Sequence, residues 1–133
     1  MLRDFEVNPG QQIFQVFYPR DYANWRRRLL NYQPLAFPSI WAEVDGHFST
    51  AAQHPAKPLL TMSWIPGSDW TGTVYDPIYW ALNQSEDASA KFLGLIFMDV
   101  AIHRPEWWGF GHYENRGVPI TGRTYFLLGV IVR

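Results

Sequence analysis

The stretch from residue 85 to 105, SEDASAKFLGLIFMDVAIHRP, limits the fold more than any other part of the chain. Ser85 is placed to cap a helix, Glu86 and Asp87 stand in its first turn, and His103 and Arg104 stand in its last. Those charges complement the positive and negative ends of a helix dipole, and Pro105 closes the segment. From Phe92 to Ile102 only Asp99 interrupts an apolar run. A helix without a polar face is a central, buried one. The same run has the composition of a strand, and periodicity does not separate the two when nearly every residue is apolar; the caps decide for helix. The expectation is therefore an α+β fold over residues 1–133 as a single domain. An antiparallel sheet packs against an amphipathic helix (about 21–32) and this central helix (about 85–104), and a β-hairpin follows.

The other elements are read around that helix. Residues 11–19 are rich in β-branched and aromatic side chains and stop at Pro19, which predicts a strand. Asp21 is positioned as an N-cap, and Tyr22, Trp25, Leu29 and Tyr32 share one helical face up to Gln33 and Pro34. Residues 36–44 alternate Ile40, Ala42 and Val44 against Trp41 and Glu43, which predicts a second strand. Asp45, Gly46 and two prolines make 45–58 a turn and loop. Alternation of Leu60, Met62 and Trp64 predicts a strand over 59–65, followed by a loop over 66–73. Asp76 as N-cap and Pro77 in the first turn start a short helix over 76–84.

Two strands on either side of the turn ENRG (114–117) form the C-terminal hairpin, the second apolar on both faces as a central strand is. In the first, alternation sends Trp108, Phe110 and His112 to one face, and Trp107, Gly109, Gly111 and Tyr113 to the other. Gly109 and Gly111 allow close packing on something bulky, and Gly117 supplies a positive φ for the turn. The chain has no internal repeat, low-complexity tract or linker.

Composition narrows the functions. Lys and Arg number 11 against 12 Asp and Glu, a net charge of -1, so no global field holds a polyanion or an anionic membrane. Arg26, Arg27 and Arg28 point about 100° apart on a helix and form no stripe along a phosphate backbone. There are no cysteines, hence no disulfides, thiolate ligands or thiol nucleophiles. Charges fall within the first six residues with no apolar stretch of signal-peptide length after them, and the apolar runs are too short to span a bilayer. A soluble, cytoplasmic protein is expected. Phosphate-loop and dinucleotide-binding glycine patterns are absent.

Seven Trp, seven Tyr and nine Phe are more aromatic surface than a domain this small buries completely. The favoured expectation is a non-catalytic binding protein, such as an adaptor, inhibitor or immunity-type factor. It would engage another protein or its own copy through Trp70, Trp107, Trp108, Tyr113 and Arg116, without a cofactor. The alternative is a small-molecule, haem or metal pocket using Asp99 and His103, four apart on one helical face, with His112 folded back across Pro105. A third is a hydrolase in which Asp45 orients His47 and Ser49 is the nucleophile, with Glu43 and His54 on the same loop.

Overall fold

The computed structural model describes residues 1–54, 59–61, 69–111, 114–115, 118–119 and 124–129. The capped segment is α4 (Glu86–His103), and Ser85 Oγ accepts a hydrogen bond from the Ala88 amide at 3.1 Å. Its apolar circumference is met on several sides: Phe92, Leu93, Ile96, Phe97, Met98 and Val100 are all buried. Just before it, α3 (Asp76–Ala81) ends where Asn83 and Gln84 take left-handed φ values of 57° and 61°. That reversal stops α3 short of residue 84 and frees Ser85 to cap α4. The residue at the cap position of α3 is Tyr75, so Asp76 acts as a first-turn carboxylate rather than as the cap.

Among the described residues there are seven strands: β1 (Leu2–Asp4), β2 (Gln12–Ile13), β3 (Leu59–Thr61), β4 (Trp107–Gly111), β5 (Glu114–Asn115), β6 (Val118–Pro119) and β7 (Thr124–Gly129). Five of them form one sheet in the order β2-β1-β4-β7-β3, while β5 and β6 pair with each other. β4 and β7 are antiparallel neighbours, the expected hairpin, and β7 lies between two partners as its two-sided apolar sequence requires. The sheet is mixed rather than antiparallel, because β1 runs parallel to β4. A three-residue strand is too short to show alternation, which is why β1 leaves no sequence signature.

Several sequence expectations are corrected. The strand over 11–19 contracts to Gln12–Ile13; Phe14 is 77% exposed, and the chain turns through Tyr18 at φ 50° into α1 (Pro19–Tyr32). Asp21 therefore stands in the first turn, and Pro19 starts the helix, where its missing N–H costs nothing. Tyr22 and Leu29 are buried on the expected face and Trp25 partly so, while Tyr32 is exposed. Of the strand over 59–65, Leu59–Thr61 is observed, and residues 62–65 lie outside the described residues.

The largest correction is α2 (Ala36–Ala52), a helix where a strand and a loop are expected. Ala36, Ile40, Val44, Phe48 and Ala51 recur every three or four residues and are all buried, so the helical stripe wins over the local alternation. Gly46 is then an exposed helix-interior glycine, and a Cβ added there meets nothing within 4 Å. Gly46→Ala should raise stability by about 0.5–1 kcal/mol in chemical denaturation. A loss of that size would instead fit the sharp turn that Asp45 and Gly46 suggest in isolation.

The sheet presents two different faces. Leu2, Trp108, Phe110 and Tyr125 point towards α2 and α4 and are buried. Phe48 of α2 is the hub: its ring lies 5.0 Å from Trp108, 5.3 Å from Tyr125 and 6.1 Å from Phe97 of α4, mostly edge-to-face. On the opposite face the backbone of Gly109 seats two rings. A Cβ there would collide with Phe126 and lie 2.9 Å from Phe5, so only glycine lets both rings lie on the strand.

Candidate functional site

The two adjacent tryptophans of β4 have opposite fates. Trp108 has no exposed surface, so its expected role as a partner anchor is corrected: it is a core residue of the folded protomer. Trp107 remains partly exposed on the other face, with the Arg3 guanidinium 4.3 Å from its ring centroid. Arg3 is itself held by a hydrogen bond from Nη1 to the Gly10 carbonyl at 2.7 Å. The same face carries Phe5 and Phe126, 5.5 Å apart; Phe5 is 41% exposed, and Leu128, at the register shift of β7 beside Trp107, is 42% exposed. Arg3, Phe5, Phe126 and Leu128 escape the sequence reading. The alternation of Phe126 and Leu128 with Tyr125 and Leu127 in β7 is the signal that finds the last two. Trp70 lies elsewhere, partly exposed with its ring 6.3 Å from Tyr75. Tyr113, Arg116 and His112 lie outside the described residues.

Asp99 and His103 do share a face of α4. His103 Nδ1 lies 2.8 Å from the Asp99 carbonyl oxygen and 3.1 Å from Asp99 Oδ1. Both neighbours accept, so Nδ1 is the nitrogen that donates. The other carboxylate oxygen, Oδ2, accepts from Tyr22 Oη at 2.6 Å in a buried contact. Burial, then the hydrogen bond to Asp99, pushes the Tyr22 phenol well above its ordinary value. Trp41 packs edge-on to the His103 ring at 5.7 Å. Asp99 thus joins α1 to α4, with both oxygens engaged. Among the described residues no three acidic or imidazole side chains gather closely enough to hold a metal ion.

The arrangement expected of a hydrolase is corrected by α2. Asp45 and His47 are two apart on a helix and do not face each other. His47 Nε2 lies 3.5 Å from Glu43, one turn back, and His54 follows the helix end. Asp45 and Ser49 both turn to Arg104, whose Nη1 donates to Asp45 Oδ1 at 2.9 Å and to Ser49 Oγ at 2.7 Å. The rest of that guanidinium is taken by Glu106 Oε1, at 3.0 Å from Nε and 2.6 Å from Nη2. Burial alone would raise the Glu106 carboxyl, but the hydrogen bonds and charge of Arg104 hold it below its ordinary value. This is a structural cross-link between α2 and the α4–β4 junction, in which Ser49 is a hydrogen-bond acceptor.

Tyr75 is buried between the helices, and its hydroxyl has no hydrogen-bond partner among the described residues. Burial first, and the Glu43 carboxylate second, pushes its phenol up to about 12. A folded value above the unfolded one means stability that is whole below pH 10 and lost as pH climbs towards 12. Tyr75→Phe should therefore leave neutral-pH stability within about 1 kcal/mol of the parent and flatten the alkaline limb of a urea-denaturation series. A larger loss at pH 7 would reveal a partner for that hydroxyl.

No family model, curated protein or solved structure matches the chain.

Proposed function

We propose that the chain is a non-catalytic binding protein that engages a protein partner through the outer face of its sheet, with Trp107 as the central anchor. The observation that carries this reading is the make-up of that face: Arg3 lies over the Trp107 ring, and Phe5 and Phe126 pair with each other over Gly109 of the same strand, while α2 and α4 pack on the opposite side. Trp and Arg are the residue types most enriched at binding hot spots, and Arg3 is already stacked and tethered, so little freedom is lost when a partner docks. The chemistry fits a partner with an apolar patch and a carboxylate positioned for Arg3. The polar clusters support the same reading by subtraction, because Asp99, Asp45 and Ser49 are committed to contacts between helices.

The test is affinity for a purified partner, first recovered from native lysate and then reconstituted. Trp107→Ala should weaken binding by about 30-fold or more, the scale of a hot-spot residue, with an unchanged cooperative melt. Equal affinities for parent and Trp107→Ala would remove the sheet face as the docking surface. A Trp107-dependent homodimer in place of a heterologous complex would overturn the heterologous partner.

A further inference from the structure

His103 holds one ring nitrogen against α4 and leaves the other outside. Nδ1 faces the Asp99 carbonyl oxygen at 2.8 Å and Asp99 Oδ1 at 3.1 Å, while Nε2 has no hydrogen bond or ion pair among the described residues. With the proton on Nδ1, the neutral ring carries its lone pair on Nε2. The side chain is 65% exposed, so an incoming molecule can reach that lone pair.

The ring is held more firmly than a helix-end histidine requires. Such a residue complements the dipole with its charge alone. Here the carboxylate behind it is buried, and its second oxygen accepts from Tyr22 Oη at 2.6 Å, which pins it between α1 and α4. Trp41 of α2 sets the ring from the side, edge-on at 5.7 Å. A fixed carboxylate at one imidazole nitrogen orients the ring and offsets the positive charge that develops when the other nitrogen attacks an electrophile. Tyr22, Asp99 and Trp41 are the positioning residues of such a nucleophile.

The surroundings select the electrophile. The Arg26 guanidinium lies 4.3 Å from the Phe37 ring centroid and 5.6 Å from that of Tyr22, and Phe37 lies 6.0 Å from Trp41. Contacts therefore run in a closed circuit from Arg26 through Tyr22, Asp99 and His103 to Trp41, Phe37 and back. Arg26 is exposed and has no carboxylate partner among the described residues, so this patch offers an uncommitted cation. Asp99 meets the ring on the side away from Nε2, and the neighbouring Arg104 and Glu106 are engaged with each other. An anionic electrophile is favoured, and arginine recognises phosphate oxygens in particular. We propose that His103 is a modification site, its Nε2 accepting a phosphoryl group from a small N-phosphoryl donor of the phosphoramidate class. The Nε2 lone pair forms the new P–N bond, the donor's P–N bond breaks, and its electron pair leaves on ammonia. Nδ1 keeps its proton, and the positive ring that results faces Asp99. Nothing is oxidised or reduced.

Incubation of the full chain with phosphoramidate in mildly alkaline buffer, read by peptide mass mapping and phosphorus NMR, tests this. The label should appear at Nε2 of His103 about tenfold faster than at His47 or His54, which serve as internal references. Asp99→Asn should slow His103 by about tenfold and leave the reference rates as they are. Arg26→Gln should slow phosphoramidate by about threefold, more at low salt than at high, and leave carbethoxylation by the uncharged diethyl pyrocarbonate unchanged. Should Asp99→Asn fail to fold, Arg26→Gln and the comparison among histidines still decide. Trp107→Ala should leave the labelling as it is, so failure here is distinguishable from failure of the sheet-face reading. Labelling of His103 no faster than of His47 or His54, phosphorylation at its Nδ1, or an Arg26→Gln variant that reacts with phosphoramidate as the parent does would overturn the proposal.

Discussion

Arg104→Met is expected to destabilise the fold by about 3–5 kcal/mol at pH 7, a large share of the stability of a domain this size. The reason lies in what it leaves behind. The side chains of Arg104 and Glu106 are 13% and 7% exposed, and among the described residues Arg104 is the ion-pair partner of Glu106. Without the guanidinium the carboxylate remains buried with no ion-pair partner in contact among the described residues, and the Trp108 indole and the Met1 ammonium nearby compensate it only in part. The Asp45 arm adds less, because its side chain is 46% exposed and solvent screens the pair. The pH dependence identifies the cause. In the parent, the Glu106 carboxyl is held below the ordinary glutamate value of 4.5, so its contribution is present above that pH and lost as pH falls through the folded value. In Arg104→Met the carboxyl rises instead, and protonation removes the penalty. Urea denaturation at pH 7 and pH 4 should therefore show the gap between parent and variant narrowing on acidification. Arg104→Met combined with Glu106→Leu should recover most of the loss. A single-variant cost below about 1 kcal/mol, independent of pH, would mean that the cross-link is solvated and contributes little.

Phe48→Ala is the second large expected effect, about 3–5 kcal/mol, or a fall of about 10–20 °C in Tm for a chain of this length. Phe48 has no exposed surface and touches rings from α4, β4 and β7, so truncation opens a cavity where the helical layer meets the sheet. The near-UV circular dichroism of Trp108 should change with it. Phe14→Ala provides the contrast: with 77% of its surface exposed, it should cost under about 0.5 kcal/mol. A Phe48→Ala protein as stable as the parent would place residue 48 on a surface loop, as the sequence alone suggests, and would contradict α2.

How legible each element is depends on where its determinants lie. α4 is readable because its signals are local: Ser85, the acidic first turn and the basic last turn are all within the element. α1 shows its stripe over several turns for the same reason. α2 hides because Ile40, Ala42 and Val44 fit alternation over nine residues, and its longer stripe to Phe48 and Ala51 runs through Asp45 and Gly46, a pair that reads as a turn. Pro38 adds to the disguise, although a first-turn proline forfeits no intrahelical hydrogen bond. Alternation separates Trp107 from Trp108, but only the positions of α2 and α4 say which side is the core. The Arg104 network joins residues from distant segments, Asp45 and Arg104 being 59 positions apart, and no spacing rule anticipates such a pair.

The most direct test of the binding face is covalent footprinting of aromatic side chains in the free protein and in its reconstituted complex. Trp107, Phe5 and Phe126 should be modified in the free protein and protected in the complex, with Trp108 unreactive in both states and Tyr79 unchanged. Modification of Trp108 in the free protein, or undiminished labelling of Trp107 in a saturated complex, would contradict the assignment of the outer sheet face as the surface that meets the partner.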